Sequence, residues 1–193
     1  MGKGVDIGRM GENIVTNELL ARGFLVTHLD KGTRGVSANA DLLVGHPNLN
    51  KPVLIQVKAH HAPRSPDTIF LGNLTEEVLE GREPFYNRKR GFQADYLAAV
   101  SISNPKTYRT FILPIPVAEN IVLRTARAWH AHPTRAGGQR KIVPTIYLNV
   151  RPQTPPGRGS ERSREIYQAA SEALLTFEDK YESLLTGEAR VCS

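Results

Sequence analysis

Two polar side chains interrupt the apolar segment formed by residues 51–60. Apolar residues alternate with other residues along this segment, and the period of two predicts a strand that carries Gln56 and Lys58 on one face. Burying an ammonium group is costly unless the group is paired. Lys58 is therefore expected either at the wet end of the strand or opposite an acidic site.

An acid is expected close to these two residues. Residues 39–45 predict a second strand, and the polar turn at residues 46–50 joins the two strands as a hairpin. Asp41 and Gln56 are then neighbours across the hairpin, with Lys58 close by. Carboxylate and amide oxygens of this kind suit Mg²⁺, which keeps several waters and takes one or two carboxylates together with substrate phosphates. The pattern predicts a Mg²⁺ or Mn²⁺ site.

A further carboxylate lies on the first predicted helix, over residues 6–22. Asp6 is a plausible N-cap, and Gly23 ends the helix before a predicted strand. Glu12 shares the apolar stripe that includes Leu19. Two interpretations stay open for it: an N-terminal acid stabilised by the helix dipole, or a further ligand for metal or water.

The order of Asp41, Gln56 and Lys58 resembles the motif core of the PD-(D/E)XK nucleases, in the variant where glutamine replaces the second acid. The resemblance covers roughly residues 8–116. Within this range the chain is similar to the Holliday-junction-resolvase-like and homing-endonuclease-like members of the family. This resemblance implies an α/β fold with a restriction-endonuclease-like mixed β-sheet flanked by helices. Outside the motif it rests on Gly11-Glu12, Leu19-Leu20 and Gly23-Phe24 upstream, and on residues 94–100 and 111–114 downstream.

The resemblance also implies a reaction and a role for each residue. Asp41 would hold the metal together with the side-chain oxygen of Gln56 and the carbonyl of Val57. Glu12 would complete or hydrogen-bond that set. Lys58 would orient or deprotonate the attacking water and offset charge in the transition state. The implied activity is metal-dependent hydrolysis of DNA phosphodiesters by an endonuclease, in restriction, repair, recombination or a mobile element.

Two residues depart from the family pattern. Ala40 replaces the proline that gives the family its name, and proline there carries no chemistry. Gln56 removes one negative charge, which lowers metal affinity unless Glu12 supplies it. The alternative is therefore a catalytically degenerate nucleic-acid-binding protein on the same fold. A third possibility is a partner-binding module that uses the C-terminal helix.

The charge distribution favours a polyanionic partner such as DNA. The net charge is +6, and residues 1–159 carry 21 Lys and Arg against 12 Asp and Glu. Solubility alone is the other explanation for a basic chain. The candidate DNA-contacting residues are Lys31, Arg34 and Ser37 in a glycine-containing loop, His60 at a strand end, Arg88, Lys89 and Arg90 between aromatic residues, and Arg124 and Arg127 on a predicted helix over residues 121–130.

Simpler interpretations exist for these segments. The loop at residues 31–39 could be a solvent-facing hairpin, and residues 85–92 could be a solvated charge run with two aromatic side chains packed inward. His60 could simply be exposed at the end of its strand. Further strands are predicted over residues 24–29, 95–102 and 108–115, with a short helix over 74–81.

Length and composition predict three parts: a nuclease-like core at residues 1–151, a Pro/Gly linker at 152–159, and an amphipathic helix at 160–187. No apolar run approaches eighteen residues, so no membrane span is expected. A single cysteine, Cys192, favours a cytoplasmic protein without disulfides. The helix would pack on the sheet or join a homodimer or higher homo-oligomer. Its apolar stripe is Ile166, Ala170, Leu174, Phe177, Tyr181 and Leu184.

Overall fold

The structure is a computed structural model that describes residues 6–29, 40–61, 68–70, 74–82, 94–104, 106–130, 137–138, 145–148 and 173–186. The helices are α1 (Ile7–Ala21), α2 (Glu76–Leu79), α3 (Ile115–His130) and α4 (Ser183–Thr186). The strands are β1 (Leu25–His28), β2 (Leu42–Gly45), β3 (Val53–His61), β4 (Thr68–Phe70), β5 (Tyr96–Asn104), β6 (Thr107–Pro114) and β7 (Thr145–Tyr147). None of the helices in these ranges combines the length and apolar character that crossing a bilayer requires.

Five strands form one mixed sheet in the order β1-β2-β3-β5-β6. The first three pair antiparallel, β5 runs parallel to β3, and β6 returns antiparallel to β5. Strands β4 and β7 form a separate antiparallel pair. The predicted α/β class, a mixed sheet flanked by helices, is confirmed. The predicted hairpin between β2 and β3 is also present.

Helix α1 begins and ends where its terminal residues predict. The Asp6 carboxylate accepts a hydrogen bond from the backbone N–H of Arg9 at 3.2 Å, so Asp6 is the N-cap. Gly23 follows the C-cap with φ +82°, a left-handed conformation that glycine adopts without strain. The helix is therefore delimited by local chemistry at both ends.

The large sheet is covered on both faces. On one face, Val15 and Leu19 of α1 are fully buried with Ile55 of β3. On the other face, Ile121 and Val122 of α3 pack with a second apolar cluster that includes buried residues of β5 and β6. Because side chains alternate across a strand, successive residues of β3 belong to different faces. Val53, Ile55 and Val57 face α1, so Gln56 and Lys58 face the opposite side.

Helix α1 approaches β3 closely at Gly11. A Cβ atom at this position would overlap the Cβ of Ala59 and would lie 3.6 Å from Cγ1 of Val57. Glycine is thus required for the observed separation of helix and strand. This approach places Glu12, the next residue of α1, at the level of the second half of β3.

The predicted continuous helix over residues 160–187 is wrong in its described part. Residues 173–175 are helical, but the chain then turns and α4 begins only at Ser183. Between them, the N–H of Ile112 donates to the carbonyl of Phe177 at 3.0 Å, and the N–H of Asp179 donates to the carbonyl of Thr110 at 3.0 Å. The reason is that β6 is an edge strand whose backbone groups need partners. Pairing with that edge displaces the helix.

This C-terminal segment crosses from one face of the sheet to the other. Leu174 is buried in the cluster beneath α3, whereas Tyr181 and Leu184 are buried in the cluster beneath α1. The described members of the predicted stripe therefore pack within their own chain, which is one of the two alternatives left open. The homodimer stays a prediction. The proposed linker at residues 152–159 and residues 160–172 lie outside the described ranges.

Candidate functional site

Asp41 is held in place by three hydrogen bonds at the start of β2. Its N–H donates to the carbonyl of Ile55 at 2.9 Å, and its carbonyl accepts the N–H of Leu29 at 2.9 Å. Its carboxylate Oδ2 accepts the backbone N–H of Val57 at 2.7 Å. The side chain thus replaces the backbone acceptor that β2 would supply to β3 if its ladder continued. The carboxylate is consequently fixed against β3.

Gln56 lies directly across from Asp41. Leu42 pairs with Ile55, which places Asp41 opposite Gln56 in the antiparallel register. Directly opposite residues have Cβ atoms about 5 Å apart. Gln56 is only 6% exposed, and its Oε1 has no hydrogen-bond partner among the residues that the structure describes. An unsatisfied buried carbonyl oxygen is costly and therefore calls for a donor or a cation.

The backbone of Val57 adds a further oxygen to this edge. The N–H and C=O of one strand residue point to the same side of the strand, and the Val57 N–H points to Asp41. The Val57 carbonyl therefore opens on the side where the Asp41 carboxylate lies. The Asp41 carboxylate and the Val57 carbonyl thus lie on the same side of β3, and Gln56 is the residue that precedes Val57.

Lys58 follows Gln56 on the same face, as the period of two predicted. In the parallel pair of β3 and β5, Lys58 lies beside Ala99, and His60 lies beside Ser101. Lys58 and His60 are half-buried, whereas Ser101 is buried. The face thus changes from apolar to polar toward the C-terminal ends of β3 and β5. Lys58 is the cation closest along β3 to the oxygen group of Asp41 and Gln56.

Glu12 contributes from the α1 side of the sheet. Its Oε2 lies 3.9 Å from Nδ1 of His28, and Nε2 of the same ring lies 3.1 Å from the hydroxyl of Thr16. The side chain of Glu12 is largely buried and that of His28 is exposed. The structure therefore places Glu12 next to a histidine that the sequence did not single out. Its contribution to a metal site shared with Asp41 is a proposal.

These groups are the candidate ligands for a hard divalent cation. The described residues contain no cluster of three or more His, Cys, Asp and Glu side chains. The candidate set is instead mixed, with the carboxylates of Asp41 and Glu12, the amide oxygen of Gln56 and the carbonyl of Val57. Mg²⁺ takes few protein oxygens and keeps several waters, so it is the cation that such a set would suit. Within the described ranges the buried Oε1 of Gln56 has no hydrogen-bond partner, and such an ion would supply one.

The predicted DNA-contacting residues fall into two groups. Arg124 is exposed on α3, whereas Arg127 donates from Nε to the carbonyl of Leu79 at 2.7 Å and so ties α3 to the last residue of α2. A structural contact therefore accounts for Arg127 at least in part. Six of the predicted residues lie outside the described ranges: Lys31, Arg34, Ser37, Arg88, Lys89 and Arg90.

Asp95 has a structural role at the start of β5. Its N–H donates to the carbonyl of Leu54, and its carboxylate accepts the N–H of Leu54, both at 2.8 Å. Its carbonyl also accepts the N–H of Ile115 at 3.0 Å. Asp95 thus joins β3, β5 and α3. Asp41 plays a similar part where it joins the end of β1 to β3, and it lies across from Gln56 in the strand register.

His28 and Thr16 are the site residues that sequence reasoning missed. Thr16 follows Glu12 by four positions, and this spacing places both residues on one face of α1. That spacing is a signal present in the sequence. The partner, His28, could be recognised only once β1 was placed beside α1.

Comparison of the chain with known proteins gave no match to a family model, to a curated protein or to a solved structure.

Proposed function

We propose that this protein is a Mg²⁺- or Mn²⁺-dependent endodeoxyribonuclease of the PD-(D/E)XK type. The observation that carries the proposal is that Asp41 lies across the β2–β3 pair from Gln56, whose buried Oε1 has no hydrogen-bond partner in the described part of the chain. Lys58 lies two residues further along the same face. A mixed sheet flanked by helices is the architecture that the motif implies, and it supports this assignment.

In the proposed site, Asp41, the Gln56 amide oxygen and the Val57 carbonyl hold the metal, and Glu12 completes or hydrogen-bonds the set. The metal ion, when bound, supplies a Lewis acid that neutralises phosphate charge and lowers the pKa of a bound water. Lys58 orients or deprotonates the attacking water and offsets charge in the transition state. The hydrogen bond from the backbone N–H of Val57 holds the Asp41 carboxylate in place against β3.

DNA is the proposed substrate because the part of the sequence that contains the candidate site carries a net positive charge. Residues 1–159 carry nine more basic than acidic residues, 21 against 12. Neutralising phosphates releases counterions and makes binding dependent on salt. His60 and Arg124, both outside the oxygen group of Asp41 and Gln56, are proposed to contact the DNA backbone.

The test is cleavage of labelled duplex and four-way-junction DNA with Mg²⁺ and with Mn²⁺. Asp41→Asn keeps an oxygen that can accept from Val57 while removing the charge, and Lys58→Met removes the ammonium but keeps the side-chain length. Both variants should fold and lose metal-dependent cleavage. Lys51→Met is the matched control, because Lys51 is exposed ahead of the same strand, and it should cleave as the wild type does.

The second candidate is a catalytically degenerate DNA-binding protein, and the neutral Gln56 favours it. This candidate predicts salt-dependent binding that Asp41→Asn leaves unchanged, with no cleavage by the wild type in either metal. Cleavage that survives both Asp41→Asn and Lys58→Met would contradict the proposed site. Binding without cleavage would replace the proposed enzyme with the second candidate.

A further inference from the structure

The ring of His28 is held between two residues of α1. Nε2 lies 3.1 Å from the Thr16 hydroxyl, and Nδ1 lies 3.9 Å from the Glu12 carboxylate. Thr16 and Glu12 are one turn apart, so the imidazole spans that turn. Nothing in the resemblance to nucleases assigns a role to this histidine.

The backbone of His28 is in turn connected to Asp41. His28 pairs with Leu42 in the antiparallel register of β1 and β2, and the N–H of the following Leu29 donates to the carbonyl of Asp41 at 2.9 Å. A short chain of contacts therefore runs from Glu12 on α1, through His28, to Asp41 at the start of β2. The two proposed metal-binding carboxylates sit at its ends.

One tautomer of the His28 ring presents an N–H toward Glu12. When the neutral ring accepts the Thr16 hydroxyl proton at Nε2, its own proton lies on Nδ1, the nitrogen nearer Glu12. The contact with Thr16 keeps Nδ1 turned toward the Glu12 carboxylate. Such outer partners fix the direction of a metal-binding carboxylate.

We infer that His28 is a positioning residue that holds the Glu12 carboxylate for the metal bound by Asp41 and Gln56. The inference rests on the proposed function, since it takes Glu12 as part of the metal set. It excludes a direct role for His28 in the reaction. His28 acts on metal binding only through Glu12.

The test is a titration of the full-length protein with Mn²⁺, followed by electron paramagnetic resonance of the free ion. His28→Ala should weaken Mn²⁺ binding by roughly tenfold, within the range of 10- to 100-fold found for outer partners of metal ligands. His28→Gln, whose amide can still donate to Glu12, should recover much of that loss. Thr27→Ala, on the same strand but facing away from α1, should bind Mn²⁺ as the wild type does.

A double-mutant cycle separates positioning from general damage to the fold. In a Glu12→Gln background, His28→Ala should change the Mn²⁺ affinity by less than about twofold, because the group it positions is gone. The inference is overturned if His28→Ala binds Mn²⁺ normally, or if it costs the same factor in both backgrounds. If the wild type did not cleave DNA, the proposed nuclease activity would be wrong. The Mn²⁺ titration would still decide whether His28 positions Glu12.

Discussion

Gly11→Ala is expected to destabilise the protein although alanine is the better helix former. In a helix interior, replacing glycine by alanine favours folding by about 1 kcal/mol. Here the new Cβ would overlap the Cβ of Ala59, and it would lie 3.7 Å from the Ala59 Cα. Neither atom can rotate away, so α1 must shift from β3. Overpacking of this kind costs about 1–3 kcal/mol.

Because both overlapping atoms are fixed to the backbone, the overpacking cost is taken at the upper end of its range, about 2–3 kcal/mol, and the balance predicts a loss of about 1–2 kcal/mol in the free energy of unfolding. For a chain of this size, 1 kcal/mol corresponds to roughly 2–4 °C in Tm, so Gly11→Ala should lower the Tm by about 2–8 °C. Differential scanning calorimetry measures the change. The same shift of α1 moves Glu12, so Mn²⁺ affinity should fall with it.

Gly8→Ala is the matched control on the same helix. Its Cβ would lie 3.4 Å from Oδ1 of Asp6 and would meet no atom of the sheet within 4 Å. This variant should be as stable as the wild type or slightly more stable. Ala59→Gly added to Gly11→Ala should recover part of the lost stability, because it removes the overlapping atom. A Gly11→Ala protein as stable as Gly8→Ala would refute the close packing of α1 on β3.

Three further predictions concern the edge of the sheet and the metal. Tyr108→Phe should destabilise the protein less at acidic than at neutral pH. The Tyr108 hydroxyl, and after it Arg22, lowers the pKa of Glu18, so the stabilisation from this contact is present above about pH 4.5 and is lost as the pH falls through the folded pKa. Urea unfolding at pH 6 and at pH 3 measures the difference. Glu178→Ala should loosen the C-terminal segment, because the Glu178 carboxylate accepts hydrogen bonds from Nε of Arg109 at 2.6 Å and from Nη2 of Arg109 at 2.8 Å. The amide N–H of Ile112, which donates to the carbonyl of Phe177, should then exchange faster, and unchanged exchange would count against the pairing of this segment with β6. Gln56→Glu should lower the Tm in the absence of metal, since it buries a charge without a neutralising cation. Added Mn²⁺ should then raise the Tm of this variant by more than it raises the Tm of the wild type. An equal increase in Tm in both proteins would mean that no metal binds beside residue 56.

The hairpin that carries the candidate site could be predicted because local signals agree there. Alternation over residues 53–58 and the polar turn before it both specify β2 and β3 with Asp41 opposite Gln56. The isolation of the Gln56 oxygen could not be predicted. It depends on β5, some forty residues later in the chain, lying beside β3 and burying the side chain.

The C-terminal segment shows where periodicity misleads. Leu174, Phe177, Tyr181 and Leu184 have helical spacing, and all are wholly or partly buried, but they do not lie on one helix. The competing interaction is the unpaired edge of β6, which is formed by residues far earlier in the chain. Asp179, at φ +52°, makes the turn that brings the chain to that edge, and the Thr110 hydroxyl bonds its carboxylate. No local pattern contains that contact.

The most direct test of the central claim is the number and affinity of Mn²⁺ sites in the wild type, Asp41→Asn and Gln56→Met, measured by isothermal titration calorimetry. A metal held between Asp41 and Gln56 predicts one saturable site that Asp41→Asn abolishes and Gln56→Met weakens, with all three proteins folded. Equal Mn²⁺ binding by the three proteins, or none by the wild type, would contradict a metal centre at this position.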